Sequence, residues 1–322
     1  MLPQSDLVLA IDVGGTKLAT ALVDPTGTVV HRGTAATPAS DGAAMWQVLA
    51  RLITDLVVLA TAEGRGLVGV GIACAAPMDV RSGTVSPVNI PGWRGFPVTE
   101  RVAALLPGLP VRLAGDAVCM ALAEYHHGAG RGSDSLLGMV VSTGIGGGFV
   151  FGGRAHLGAT GNAGHIGHFV LDPEGPWCAC GARGCAEAIA SGPSIVRWAG
   201  ERGWRPEGGA ADGESLAASA RAGDPVACAA FRRSGEAVAK VITVAAALCE
   251  VDRVVIGGGV AQAWDLLGPA ITGALQAWTG LEYIRRVEVL PAVLGVDAGL
   301  VGAAALLADV ADSVRQCRPE VA

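Results

Sequence analysis

Twice in this chain an apolar strand runs into a polar, glycine-rich loop and returns at once as a second strand. The first instance is residues 7–11, then Asp12-Val13-Gly14-Gly15-Thr16-Lys17, then an alternating apolar run over 18–23. Asp24-Pro25-Thr26-Gly27 turns the chain again before β-rich residues 28–31. The second instance is residues 136–141, then Ser142-Thr143-Gly144-Ile145-Gly146-Gly147-Gly148, then 149–151 and a Gly152-Gly153 turn. A P-loop or a dinucleotide fingerprint needs a helix directly after its glycines, so both architectures are excluded. The recurrence at this long spacing predicts two related lobes and not a short-period solenoid.

Around these hairpins helix and strand alternate. Residues 43–62 have helical periodicity, 67–73 read as a strand, 99–106 as a short helix, 111–114 as a strand and 117–125 as a helix. Residues 128–133 are a glycine-rich break placed close to a domain boundary. After a cysteine cluster the pattern is mostly helical, over 193–199, 213–222 and 225–249. A single strand, 253–256, interrupts it and leads into Gly257-Gly258-Gly259, followed by helical 260–267 and a final helix over 298–311. The expected fold class is α/β, and 322 residues suit two domains.

Composition narrows the partners. Hydrophobic residues make up 51% and charged residues 16%, which excludes a disordered chain. A net charge of −6 argues against a phosphate-backbone surface, so nucleic acid is not an expected partner. No basic segment precedes the first apolar run, and no apolar run approaches the roughly 18–20 residues that span a bilayer, so no membrane partner is expected and the location is read as cytoplasmic. Only two of the basic residues are lysines, Lys17 and Lys240.

Backbone amides in a tight glycine turn approach phosphate oxygens closely because no Cβ intervenes, and Thr16 or Thr143 adds a hydroxyl donor. Asp12 suits hydrated Mg²⁺, which takes one or two carboxylates plus phosphate oxygens. Each loop alone could equally be an ordinary turn; the two together, with Gly257-Gly258-Gly259, point to a nucleotide. Asp116 follows a strand and precedes a helix, where it is either a helix cap or a general base. His168, Cys178, Cys180 and Cys185 offer one imidazole and three thiolates, a closed set suited to structural Zn²⁺. His165 and Glu187 flank that set and could read hydroxyl groups.

These motifs together resemble the ROK family of bacterial sugar kinases and sugar-responsive repressors. The resemblance rests on Asp12 to Lys17, Ser142 to Gly148, His168 with Cys178-Ala179-Cys180-Gly181-Ala182-Arg183-Gly184-Cys185-Ala186-Glu187, and Gly257-Gly258-Gly259. It implies a two-lobed actin-like ATPase (ribonuclease H-like) fold with a cleft between the lobes, divided as 1–116 with 299–322, and 117–298. It implies ATP held by Asp12, Gly14, Gly15, Thr16, Lys17, Thr143, Gly144, Gly146 and, against the adenosine, Gly257, Gly258 and Gly259. Asp116 becomes the base for a sugar 6-hydroxyl, with Asn89, His165, His168 and Glu187 as sugar ligands, and a homodimer is expected. Family repressors carry a DNA-reading module ahead of the first loop; eleven residues precede Asp12 here, which favours an enzyme over a sugar-binding regulator. Glucokinases of the family usually have Glu at the position of His165, where N-acetylmannosamine kinases can have His. Family kinases usually have Asn at the position of Gly115, and its loss leaves glucose and a 3-amino hexose such as kanosamine as alternatives.

Overall fold

In the computed structural model, which describes residues 6–38, 42–88, 90–206 and 208–308, each glycine loop is the tip of a hairpin. β1 (Leu7–Val13) and β2 (Lys17–Val23) pair antiparallel with Val13 opposite Leu18, and β3 (Val29–Ala36) adds to β2. α1 (Gly42–Ala62) leads to β4 (Leu67–Cys74), parallel to β1. A short ribbon, β5 (Met78–Asp79) and β6 (Thr84–Val85), and α2 (Val98–Leu105) precede β7 (Val111–Gly115), parallel to β4. The sheet order is β3-β2-β1-β4-β7, and α3 (Asp116–His127) leaves its last strand directly.

The second sheet repeats the plan. β8 (Ser135–Val141) and β9 (Ile145–Phe151) form the hairpin, with Val141 opposite Ile145. β10 (Arg154–His156) opens the segment after it, and α4 (Ala186–Ala190), α5 (Gly192–Glu201), α6 (Gly213–Arg221) and α7 (Pro225–Cys249) follow. β11 (Arg253–Gly257) lies parallel to β8. After α8 (Trp264–Trp278) and α9 (Glu282–Arg285), β12 (Glu288–Pro291) lies parallel to β11. Pro225 at the first turn of α7 costs no hydrogen bond, and the Asp224 carboxylate accepts from the Val226 and Ala227 amides at 2.9 and 2.7 Å. Phe231, Val238 and Ile242 of α7 then bury against Val254 and Ile256 of β11 and Ile271 of α8 in one core.

α10 (Ala298–Ala305) belongs to the first sheet although it comes last. Its Leu300, Ala303 and Ala304 cover a face of alanines: Ala10, Ala19, Ala21, Ala73 and Ala114. Small residues permit this approach: a Cβ on Gly71 would overlap the Ala303 carbonyl, and one on Gly302 the Cys119 carbonyl. Buried Glu124 of α3 accepts the Leu294 amide at 2.9 Å and so ties α3 to the entry of α10.

The chain therefore groups into two compact units. Among the described residues, one holds those up to His127, Arg154–Ala163 and those from Leu294; the other holds Gly128–Gly153 and Gly164–Val293. The expected division after Asp116 does not match, because Val118 and Cys119 of α3 pack with Ala10, Ala73 and α10. Three further expectations need correction. β12 is a second strand in the region read as containing one. Residues 260–263 form a 3₁₀ turn, with α8 beginning only at Trp264. α1, at 21 residues, is long and apolar enough by length and composition to cross a membrane. Its stripe Met45, Leu49, Ile53, Leu56 and Ala60 is buried in the first core, as in a core helix.

Candidate active site

In the first unit the parallel pairing sets two carboxylates near one another. Asp12 on β1 lies opposite Ala73 on β4, which lies beside Ala114 on β7, and Asp116 follows two residues later. Two strand spacings place the backbones roughly 10 Å apart. Asp12 is half-buried, and its carboxyl is pushed up from 3.8 to about 6, by burial first and then by the Asp116 charge, with Lys17 opposing. Gly299 at the start of α10 leaves no room for a side chain there, since its Cβ would lie 2.8 Å from Asp12 Oδ2. Asp116 is exposed at the first position of α3, and its Oδ1 accepts the Ala117 amide at 2.7 Å. The first loop closes with the Gly14 amide donating to the Lys17 carbonyl at 3.0 Å. Thr37 braces it, its hydroxyl donating to Gly14 O at 2.8 Å and its amide to Thr16 O at 3.0 Å. Gly15 is half-buried, and Thr16 and Lys17 are exposed. Neither Thr37 nor Gly299 was singled out from sequence, although Gly299 and Gly302 fall on one helix face three residues apart, the spacing of a close helix contact.

In the second unit the second and third glycine loops converge. Ser142 donates its amide to Gly144 O at 2.9 Å, and its own carbonyl accepts the Gly192 amide at the start of α5 at 2.8 Å. Gly258 follows β11 with φ +95°, and a Cβ there would stand 2.5 Å from the Val141 carbonyl oxygen. A Cβ on Gly259 would lie 3.4 Å from Ser142 Oγ, so Gly257-Gly258-Gly259 borders the loop bearing exposed Thr143. Glu187, in the first turn of α4, accepts the Ile145 amide through Oε2 at 2.9 Å. A Cβ on Gly144 would come 2.6 Å from that oxygen and would displace the Glu187 carboxylate, and Gly146 lies within β9 just beyond.

The four expected metal donors come together. The ligand atoms of His168, Cys178, Cys180 and Cys185 all lie within 4.8 Å of one another. Cys180 Sγ stands 3.7 Å from Cys185 Sγ, and Cys178 Sγ stands 3.8 Å from His168 Nδ1. Ligands about 2.3 Å from a tetrahedral zinc stand roughly 3.8 Å apart, so this donor set fits Zn²⁺ with no further ligand needed. Backbone pairing preforms the set: the Cys178 amide donates to Ala182 O at 2.8 Å, the Gly181 amide to Cys178 O at 3.0 Å, and Val170 bridges Cys185. Glu187 Oε1 lies 3.8 Å from Cys178 Sγ, and the exposed His165 ring stacks 6.2 Å from that of His168. Asn89 lies outside the described residues. Of the remaining cysteines, Cys74 and Cys119 are buried thiols, Cys249 is half-buried, Cys228 is exposed, and Cys317 lies outside the described residues.

A model of the ROK family matches residues 8–310. The chain belongs to the ROK family. An N-acetylmannosamine kinase of Citrobacter koseri is 37% identical over 304 residues, covering 92% of this chain and 97% of that protein. A glucokinase of Streptomyces coelicolor is 31% identical over 319 residues, covering 93% and 97%. The crystal structure of a ROK family glucokinase from Streptomyces griseus, in complex with glucose and AMPPNP, is 33% identical with TM-score 0.77, covering 93% of this chain and 98% of that one. This ROK protein therefore has the α/β actin-like ATPase fold, and its two hairpin-led mixed sheets are that fold's repeated unit.

Proposed function

We propose that this ROK protein is an ATP- and Mg²⁺-dependent sugar kinase, transferring the γ-phosphoryl group of ATP to the 6-hydroxyl of a hexose or amino hexose, with N-acetylmannosamine as substrate. The observation that carries this reading is the pair Asp12 and Asp116, in which the half-buried Asp12 carboxyl has its affinity for a proton raised by burial first and then by its neighbour. Such a pair invites a cation at one member and leaves the exposed member to accept a proton. Asp116 takes the proton of the attacking hydroxyl as the new oxygen–phosphorus bond forms and the β–γ bridge breaks. Asp12 would hold Mg²⁺, which when bound offsets the charge of the phosphate oxygens. The amides of Gly14, Gly15, Thr16, Thr143, Gly144 and Gly146, with Lys17, hold the triphosphate, and Gly257-Gly258-Gly259 borders the adenosine. His165, His168 and Glu187 bind sugar hydroxyls. Zn²⁺ on Nδ1 of His168 would leave its Nε2 for a hydroxyl and would fix the 168–187 stretch that positions Glu187.

The amino-sugar assignment is supported by His165 and by the 37% identity to the Citrobacter koseri kinase. Gly115 favours a second reading, a 3-amino hexose, because the strand end there presents no amide side chain to a sugar. The test is a coupled ATP assay across a panel of hexoses and amino hexoses, with Asp116→Asn as control. Turnover of N-acetylmannosamine at the highest kcat/KM, abolished in Asp116→Asn while sugar binding persists, is the expected outcome. Measurable sugar binding with no phosphorylation of any panel member would instead identify a non-catalytic regulator.

A further inference from the structure

Of the chain's two lysines, Lys17 sits in the first glycine loop and Lys240 has no part in the chemistry above. Lys240 lies on α7 with Arg232, Arg233 and Glu236, and these four side chains, with Trp198 of α5 and Asp172, line a cavity of about 400 Å³. Every one of these residues belongs to the second unit. The volume falls in the range of small-molecule sites, roughly 300–1,000 Å³.

The cavity carries more positive than negative charge. Three cations line it against two carboxylates, and Arg202 stacks over the Trp198 ring at 4.0 Å, with Arg233 5.5 Å from the same ring. The Arg233 guanidinium is held below its ordinary value by burial, then by Arg202, with Asp172 opposing and Arg197 adding. A partly buried arginine pushed down by burial, with other arginines adding to it, sits in a cavity lined by more cations than carboxylates, where an anion is favoured.

We propose that this cavity binds a small phosphate-bearing molecule. Arg232, Arg233 and Lys240 take the phosphate oxygens, Trp198 supplies the apolar wall, and Asp172 and Glu236 accept hydroxyl groups of an attached polyol. The position has a consequence for the sugar. Arg233 Nη1 donates to the Ile189 carbonyl at 2.7 Å and Ser234 Oγ to the Ala190 carbonyl at 3.0 Å, so α7 holds the C-terminal end of α4. The first turn of α4 carries Glu187. A phosphate that engages Arg233 competes with Ile189 for the same guanidinium and raises the KM for sugar. This last consequence rests on the reading of Glu187 as a sugar ligand; the binding site does not.

The test is calorimetric titration of the whole protein, saturated with a non-hydrolysable ATP analogue so that the glycine loops are filled. The probes are inorganic phosphate and glycerol 3-phosphate. Both are expected to bind, and Arg232→Ala/Lys240→Ala is expected to weaken both about 10-fold while leaving the phosphate-free kinase rate unchanged. Tighter binding of glycerol 3-phosphate, with the preference lost in Glu236→Gln, identifies a phosphate ester as the ligand; equal binding identifies free phosphate. Affinity unchanged in the double variant, or no heat from either probe up to about 20 mM, overturns the proposal. Binding with loss of affinity in the variant but no effect on sugar KM would sustain the site and refute only its coupling to the sugar through α4.

Discussion

Asp12 is where cost and use meet in a single side chain. Its folded-state carboxyl holds a proton up to about pH 6, against an ordinary 3.8. The folded protein thus binds that proton more tightly than the unfolded chain, so stability falls as pH rises through this window and stays reduced above it. Asp12→Asn removes the penalty: in chelator, thermal melts should show the variant more stable on the order of 2 kcal/mol at pH 8, the gain fading toward pH 4, while kinase turnover is lost. Gly115 tests specificity at the neighbouring strand end. A Cβ there would meet only Val118 Cγ2, at 3.6 Å, an ordinary contact, so the backbone accepts a side chain at this position. Gly115→Asn should lower the KM for hexoses with free 3- and 4-hydroxyls about 5-fold, the worth of one hydrogen bond of about 1 kcal/mol, in steady-state assays. The four metal donors, which the fold brings together, were legible from sequence because one imidazole and three thiolates at that spacing do one kind of chemistry, whereas Asp116, a cap or a base by its own residues, was singled out through the resemblance. Gly299 and Thr37 were not legible, because what they contribute is space and bracing to residues far along the chain.

Helices show how far glycine's meaning depends on its neighbours. Gly302 in α10 and Gly273 in α8 are both helical and neither has positive φ. Gly273 has nothing within 4 Å of where a Cβ would sit, so Gly273→Ala should stabilise the protein by about 0.5–1 kcal/mol in urea titration. Gly302→Ala drives a methyl into the Cys119 carbonyl and should destabilise by about 3 kcal/mol or more in the same measurement. Sequence periodicity located α7 at Pro225–Cys249 without error because Pro, the capping Asp224 and a long apolar stripe agree. It missed β12, where Glu288-Val289-Leu290-Pro291 is short and ends in proline, a residue sheets accept only at an edge; β12 is the edge. It also started the return strand at Phe149, whereas β9 begins at Ile145 and runs through three glycines. Gly147 must be bare there, because a Cβ would reach 2.6 Å from Ile166 Cδ1.

Across the whole molecule the repeat was readable and the partition was not, since membership in a unit is decided by long-range packing. The metal set is the second unit's staple over a stretch with little regular structure. Purified protein should carry about one zinc per chain by elemental analysis, and chelation should expose residues 169–186 to limited proteolysis and lower the melting temperature. The alanine face of the first sheet has a different history. Its cover, α10, is encoded about 170 residues after α3 ends, whereas every residue of the second unit is made before Leu294. At a ribosomal pace of roughly 5–20 residues per second, the opening half of a nascent chain waits about 10–35 s for its lid. Translation would complete the later unit first. Alanine, the least adhesive of apolar residues, is a fitting lining for a surface that must stay open so long.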